Sequence, residues 1–238
     1  METQPIAYLG LGMMGREMAL NLAEDGVQVL VWNRTQKKTD ALVSTNIRAV
    51  SSPQDAVCRG GIAISCLAND EAVEAVCSDD FLRALGKGGV HISMSTISPK
   101  TAVKLKNRHA AHGASYVAAP VLGRPDFVKA RTQRFLLSGP AAACARALPL
   151  LESLGSWVFH LGEDVRSAHA AKLAFNYTIG TSITLMSEAF ALAEKSGVDR
   201  QVMHNIMVET VYNCPLFQGY GKQIVDDNVD EPLFKKLF

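Results

Sequence analysis

The chain has 238 residues, a formal net charge of +1 and 48% hydrophobic residues. This composition supports a sizeable core and predicts no attraction to nucleic acid, and no apolar run approaches the roughly 20 residues of a membrane span. The scattered cysteines form no CxxC pair and no Cys/His ligand cluster. The N-terminus has no basic segment followed by an apolar one. We therefore expect a cytoplasmic protein with reduced thiols, no secretory signal, no membrane partner and no metal.

The first predicted elements surround a glycine-rich loop. Ile6–Leu9 is typical of a buried parallel strand, and a helix is predicted over 16–24. Between them, Gly10 would allow a tight turn, Gly12 would let a pyrophosphate approach the backbone, and Gly15 would let the helix pack tightly. The free N–H groups of the helix N-terminus would favour phosphates. The predicted cofactor-binding residues are Gly10, Leu11, Gly12, Met13, Met14 and Gly15.

The second predicted strand, 27–32, ends at Asn33-Arg34-Thr35. An NAD site would place a carboxylate here to bind the ribose 2′-hydroxyl. Arg34 can instead pair with a 2′-phosphate, and Asn33 and Thr35 can donate hydrogen bonds without adding negative charge. The pattern predicts NADP as the cofactor.

The remaining predicted elements alternate. Further strands are predicted over 47–50, 61–67, 89–94, 115–118, 135–138 and 157–161, and helices over 36–44, 53–58, 70–77, 99–112 and 141–154. This alternation indicates an α/β fold with a doubly wound parallel sheet, a Rossmann domain over 1–162. One long helix over 167–196 and shorter helices over 199–210 and 216–226 predict an all-helical domain over 163–238. The final residues, 231–238, are expected to begin an element that is not completed.

Three stretches follow predicted strands, where ligands bind in such folds. Leu67-Ala68-Asn69 is expected near the nicotinamide ribose. Ser95 and Thr96 are expected to hold substrate, and Thr96 also cofactor, although helix-cap chemistry would explain such hydroxyls equally well and Ser98 is the predicted cap. The third stretch is predicted to bind substrate through backbone N–H groups, with Arg124 beside it, or to be only a turn. It comprises Pro120, Val121, Leu122 and Gly123.

Lys172 and Asn176 lie four residues apart on the long predicted helix and therefore share a face. The residues around Lys172 are small or apolar. Such a lysine either extends to solvent or lies in a partly dry catalytic site. His169, three residues earlier, is expected to pack or to form a hydrogen bond.

Together these motifs resemble the β-hydroxyacid dehydrogenase family, which is related to 6-phosphogluconate dehydrogenase and the imine reductases. The resemblance covers nearly the whole chain, from the signature Leu9–Gly15 through Asn33–Thr35, Met94–Pro99 and Ala119–Val121 to the segment 187–197. It implies that Lys172 and Asn176 are catalytic and also bind substrate. It further implies a Rossmann domain, a helical domain and a homodimer or homotetramer with interlocked helical domains.

The chain departs from the family pattern at three places. Leu122-Gly123-Arg124 replaces the usual Ser-Gly-Gly, Arg166-Ser167-Ala168 replaces glycines before the lysine, and the chain stops before a helical Lys-Asp segment. The expected function is NADP-dependent interconversion of a small hydroxy acid and its aldehyde or keto form, with Lys172 as general acid/base. The alternatives are imine reduction on the same scaffold and a non-catalytic dinucleotide-binding module.

Overall fold

The computed structural model describes residues 4–227. They form two compact units, one ending at Lys172 and the other beginning at Leu173. The predicted element at 231–238 lies outside the described residues.

From residue 4 to Lys172, the first unit contains nine strands. They are β1 Ile6–Leu9, β2 Val29–Trp32, β3 Ile47–Ala49, β4 Ile62–Ser65, β5 Val90–Ser93, β6 Ser115–Ala118, β7 Val121–Leu122, β8 Arg134–Leu137 and β9 Trp157–His160. The helices before the long one are α1 Met13–Glu24, α2 Lys37–Asp40, α3 Pro53–Ala56, α4 Asp70–Val76, α5 Asp79–Leu85, α6 Pro99–Ala111, α7 Pro125–Lys129 and α8 Ala141–Leu154. The long helix, α9 Val165–Lys195, begins in this unit.

Six of the strands form one parallel sheet in the order β3-β2-β1-β4-β5-β6. Strands β1, β4 and β5 are buried along their whole length, so apolar residues follow one another instead of alternating; the exceptions are buried Ser65, His91 and Ser93. The strand order reverses between β1 and β4, and ligands of open parallel sheets bind where the order reverses, beyond the carboxyl ends of the strands. The predicted doubly wound Rossmann fold is confirmed.

The last two predicted strands do not extend this sheet. Strands β8 and β9 pair in parallel in a second sheet of order β7-β8-β9, in which β7 is antiparallel to β8. The chain continues from β6 into β7, and both run against β8: Ala118 and Ser138 exchange backbone hydrogen bonds at 2.9 Å, and the Leu136 N–H donates to the Pro120 carbonyl at 3.1 Å. Strand β8 therefore meets the end of β6 in antiparallel orientation and does not add a seventh parallel strand to the main sheet.

Two helices were not predicted. Helix α5 carries a clear start signal, because Ser78 caps it by accepting from the N–H of Phe81 and two aspartates occupy its first turn. Helix α7 follows β7 in a segment for which the sequence predicts no element. The helix predicted over 36–44 is also shorter than expected: α2 ends at Asp40, and Ser44 exchanges backbone hydrogen bonds with Ile47 in the turn before β3.

The second unit contains the rest of α9, together with α10 Arg200–Glu209 and α11 Pro215–Val225. Met186, Phe190, Met207 and Phe217 form its buried core. Helices α10 and α11 approach closely at Gly221, where a Cβ atom would lie 2.5 Å from the His204 ring. The predicted helical C-terminal region is confirmed. Within residues 4–227 no helix has the length and apolar character needed to cross a membrane.

Candidate active site

The glycine loop connects β1 to α1, and each of its three glycines has a different environment. Gly10 has φ +101°, and a Cβ there would overlap the carbonyl oxygen of Cys66. A Cβ on Gly15 would overlap the carbonyl oxygen of Gly10. At Gly12, by contrast, no described atom lies within 4 Å of an added Cβ.

Gly12 is also the N-cap residue of α1, and no side chain caps this helix. The first-turn N–H groups are therefore available to an anion. The open space at Gly12 and the uncapped helix fit the pyrophosphate of a dinucleotide, which would supply hydride chemistry at its nicotinamide end. Leu11, Met13 and Met14 complete the loop, and Met13 is 52% exposed.

We expect alanine at Gly12 to weaken mainly cofactor binding and alanine at Gly15 to weaken mainly folding stability. Gly12→Ala should cost less than about 1 kcal/mol of folding stability, since the methyl meets only open space, yet should weaken NADPH binding about tenfold or more by occupying the pyrophosphate position. Gly15→Ala should destabilise the fold by about 1–3 kcal/mol. Urea unfolding and fluorescence titration of NADPH measure both. Unchanged NADPH affinity in Gly12→Ala would contradict the assignment of this loop.

Of the three residues after β2, Asn33 forms hydrogen bonds within the chain, whereas Arg34 and Thr35 are exposed to solvent. The Asn33 side-chain oxygen accepts from the Leu11 N–H at 2.9 Å, and its amide donates to the Thr35 carbonyl at 3.1 Å. Asn33 thus ties the glycine loop to the end of β2, and one of its two amide hydrogens is already used within the chain. Arg34 and Thr35 are exposed. Among residues 4–227, the Arg34 guanidinium has no hydrogen-bond or ion-pair partner, so it is free to meet an anion.

The loops after β4 and β5 are joined to each other. Buried Ser95 accepts a hydrogen bond from the Leu67 N–H at 2.8 Å, so this hydroxyl holds the two loops together. Asn69 caps α4 by accepting from the Ala72 N–H at 3.0 Å. Ala68 is exposed, and Thr96 is half-buried. Of the predicted residues in these loops, Ser95 and Asn69 therefore have structural hydrogen bonds.

Ser98 caps α6, as predicted, by accepting from the Thr101 N–H at 3.1 Å. Asp70 holds the same corner: its carboxylate accepts from the Ser98 N–H at 2.8 Å and from the Thr101 hydroxyl at 2.9 Å. Burial acts to raise the pKa of Asp70, but these hydrogen bonds lower it below its usual value. The start of α6 is thus fixed to the start of α4.

The segment from Pro120 to Gly123 is not the loop that the sequence suggested. Val121 and Leu122 form β7, and a Cβ on Gly123 would lie 2.8 Å from the Cβ of Gln133. The Arg124 guanidinium bonds the Asp126 carboxylate at 3.0 and 3.3 Å and lies over the Phe127 ring at 5.1 Å. Arg124 is therefore already paired. The guanidinium that the sequence predicts to lie beside a bound anion is thus engaged by a carboxylate two residues further along the chain.

Lys172 lies on α9 and is only 5% exposed. Burial alone lowers the pKa of its amine to about 8. The charged and neutral forms of the amine are therefore equally populated near pH 8, and both are accessible for general acid/base chemistry. Asn176, one helical turn further, is 7% exposed, and its side-chain oxygen has no hydrogen-bond partner among the described residues. A buried amide oxygen without a partner is available to a donor from a ligand.

A buried cluster of one cysteine and two histidines was not expected from the sequence. Cys77, His91 and His109 place their sulfur and nitrogen ligand atoms within 4.8 Å of one another, so the expectation of no Cys/His cluster is wrong. The Leu105 carbonyl lies 2.7 Å from His109 Nδ1 and can only accept, so this nitrogen carries a proton. Burial lowers the pKa of both histidines, that of His109 to about 4, and both are neutral.

With His109 protonated on Nδ1, its Nε2 accepts from His91 Nδ1 at 2.9 Å. His91 Nε2 in turn accepts from the Ser65 hydroxyl at 2.9 Å. All four ring nitrogens therefore have partners in one chain of neutral hydrogen bonds. This chain ties β4, β5 and α6 together and has the geometry of a structural network.

Comparison with known proteins agrees with this architecture. The NAD binding domain of 6-phosphogluconate dehydrogenase matches residues 5–162, and the NAD-binding domain of NADP-dependent 3-hydroxyisobutyrate dehydrogenase matches residues 167–236. An uncharacterized oxidoreductase, YfjR, of Bacillus subtilis is 37% identical over 97% of this chain and 81% of its own length. A 3-hydroxyisobutyrate dehydrogenase of Pseudomonas aeruginosa is 37% identical over 86% of this chain and 69% of its own.

Solved structures show the same fold. The 3-hydroxyisobutyrate dehydrogenase of Mycobacterium tuberculosis, solved with L-serine, has a TM-score of 0.81 at 28% identity, covering 90% of this chain and 73% of that one. An imine reductase of Myxococcus stipitatus in complex with NADP+ has a TM-score of 0.77 at 25% identity, covering 91% and 74%. The fold and its glycine loop define a nicotinamide-dinucleotide oxidoreductase. The chain belongs to the β-hydroxyacid dehydrogenase family.

Proposed function

We propose that the protein is an NADP-dependent oxidoreductase that interconverts a small hydroxy acid and its aldehyde or keto form. The observation that carries the proposal is the buried amine of Lys172, which burial holds at a pKa of about 8. In oxidation the neutral amine accepts the hydroxyl proton of the substrate, and in reduction the ammonium returns it. Asn176 orients the substrate oxygen or the amine through its otherwise unpartnered amide.

NADP is favoured over NAD because the loop after β2 presents Arg34 and contains no carboxylate. An exposed guanidinium without an ion-pair partner can bind the 2′-phosphate with two parallel hydrogen bonds. Leu67, Ala68, Asn69 and Thr96 are proposed to line the nicotinamide end. Ser95 and the segment Pro120 to Gly123 are proposed to contact the substrate.

A substrate panel tests the function. Small 2- and 3-hydroxy acids would be offered with NADP+ and NAD+, and semialdehydes, 2-keto acids and cyclic imines with NADPH and NADH. We expect turnover of at least one hydroxy acid or its oxidised partner, faster with the phosphorylated cofactor. NADPH binding without turnover of any compound would favour a non-catalytic dinucleotide-binding module.

Imine reduction is the second candidate. It is favoured by the departure from the family's substrate-carboxylate segment, since Leu122-Gly123-Arg124 replaces Ser-Gly-Gly after Val121. In the structure Leu122 is the last residue of β7, and Arg124 is paired with Asp126. The similarity to the imine reductase structure agrees with it. Lys172 opposes it, because imine reductases commonly lack the lysine at this position. Turnover of cyclic imines without turnover of any semialdehyde would establish this alternative.

We also propose that the protein is a homodimer or homotetramer. Helix α9 exposes apolar side chains on more than one face: Phe175 is 46% exposed, Tyr177 66%, Leu185 43% and Leu192 69%. Large apolar side chains exposed on several faces of one helix are typical of a helix that another chain covers. We expect light scattering at micromolar concentration to give at least twice the mass of one chain, and the substitution Leu192→Glu to lower that mass. A monodisperse monomer would contradict the proposal.

A further inference from the structure

His169 lies in the first turns of α9, three residues before Lys172, and is fully buried. Its Nε2 lies 3.1 Å from the hydroxyl oxygen of Tyr116 on β6, and the two rings stack with centroids 6.4 Å apart. Strand β6 leads directly into Ala119 and Pro120. The contact therefore links the helix that carries Lys172 to the strand that precedes the proposed substrate segment.

Both partners are neutral at working pH. Burial lowers the pKa of His169 to about 4, against the opposing effect of the Asp70 carboxylate, and burial raises the pKa of Tyr116. Because a phenol hydroxyl both donates and accepts, the hydrogen bond forms with either histidine tautomer. The bond is therefore independent of pH across the range in which Lys172 titrates.

The other ring nitrogen of His169 has no hydrogen-bond partner among the described residues. A buried polar atom without a partner destabilises the folded state, and a leucine at this position would not carry that cost. Packing alone therefore does not account for a histidine here. The bond from Nε2 to Tyr116 is the specific contact that this side chain provides.

This contact fixes the part of α9 that leads to Lys172. Val165 and Ala168 are fully buried in the same apolar cluster as Tyr116, and the Ala168 N–H donates to the Ser138 hydroxyl at 3.3 Å. Apolar packing tolerates small sliding and rotation of a helix, whereas a hydrogen bond specifies one position. Misplacing a catalytic group by about 1 Å can lower the rate about 100-fold.

We propose that His169 is a positioning residue for Lys172: its hydrogen bond to Tyr116 sets the depth and rotation of the first turns of α9 and thereby the place of the amine. The inference rests on the proposed role of Lys172 in the reaction.

The test compares two substitutions that fill similar volumes. The side-chain amide introduced by His169→Gln reaches about as far as Nε2 and can keep the bond, whereas the side chain introduced by His169→Leu cannot. We expect His169→Leu to lower kcat about 10- to 100-fold with the KM for NADPH within about twofold, and His169→Gln to stay within about threefold of wild type. Tyr116→Phe should match His169→Leu, and the double variant should fall no further.

Tyr8→Phe is the matched control, since Tyr8 is fully buried in the same sheet and, among residues 4–227, its hydroxyl hydrogen-bonds only the Met94 sulfur at 3.9 Å. It should keep wild-type kcat. Thermal unfolding checks that each variant folds, and Tyr116→Phe, which removes a single oxygen atom, carries the test if His169→Leu does not fold. Wild-type kcat in Tyr116→Phe, or equal losses in His169→Leu and His169→Gln, would show that His169 acts by packing and overturn the inference.

Failure of the proposed function is separable from failure of this inference. If no panel compound is turned over by the wild type, positioning is still measured by the acetylation rate of Lys172 with acetic anhydride, read by peptide mass mapping against exposed Lys106. We expect Tyr116→Phe and His169→Leu to change this relative rate by about threefold or more, and His169→Gln to leave it unchanged. An unchanged rate in all three variants would overturn the inference.

Discussion

Replacing Lys172 by alanine is expected to lower kcat by about 10²–10⁴-fold, because the reaction loses its general acid/base. The NADPH dissociation constant should stay within about twofold, since the proposed cofactor contacts are at the glycine loop and Arg34. Lys172→Met, which preserves the apolar stem, should be equally inactive. Lys172→Arg should not recover activity, because a guanidinium stays protonated and cannot accept a proton. Steady-state kinetics on the substrate identified by the panel measures each variant.

The oxidation and reduction rates of the wild type should depend on pH in opposite directions. Burial lowers the pKa of Lys172 to about 8, and oxidation requires the neutral amine, so the oxidation rate should rise with pH and level off above about pH 8. Reduction requires the ammonium and should fall over the same interval. The pH-dependent limb assigned to Lys172 should be lost in Lys172→Ala.

Asn176→Ala should lower turnover less than Lys172→Ala, and the double variant should lose less than the product of the two single effects, because the two groups act as a unit. Lys106→Ala, which removes an exposed lysine from α6, is the control and should retain wild-type kinetics. Near-normal kcat in Lys172→Ala would remove this lysine from the mechanism. The imine-reductase and binding-module alternatives would then become the leading candidates.

Arg34→Ala is expected to weaken NADPH binding by about 1.5–3 kcal/mol, or roughly 10- to 150-fold. NADH lacks the 2′-phosphate, so its affinity should change little. The wild-type protein should accordingly bind NADPH more tightly than NADH, and the variant should bind the two about equally. Isothermal titration calorimetry at fixed ionic strength measures all four dissociation constants.

The control is Arg83→Ala on α5, which removes the same charge from an exposed arginine that already pairs with Asp80. It should leave both affinities unchanged. Equal affinities for NADPH and NADH in the wild type would contradict the role of Arg34.

Much of this architecture could be predicted from the sequence, because the signals for strands, turns and helix caps lie within a few residues of one another. A strand buried on both faces needs consecutive apolar residues, as in β1 and β4, and a turn such as that at Gly10 needs positive φ. The cap of α6 at Ser98 was predictable for the same reason, since the capping hydroxyl acts within three residues. Helix α5 carries an equally local signal in Ser78 and its two aspartates, which hydrophobic periodicity does not reveal.

By itself, then, the sequence determined the Rossmann sheet, the glycine loop, the helical C-terminal region and the family. Only the tertiary structure decided the partners of polar side chains, because such partners lie far apart along the chain. It placed Asn33 against Leu11, assembled Cys77, His91 and His109, and diverted β8 into a second sheet. It also decided the burial of Lys172, on which the proposed acid/base chemistry depends. A pattern of residue types records which groups are present, but desolvation depends on what surrounds a group in space.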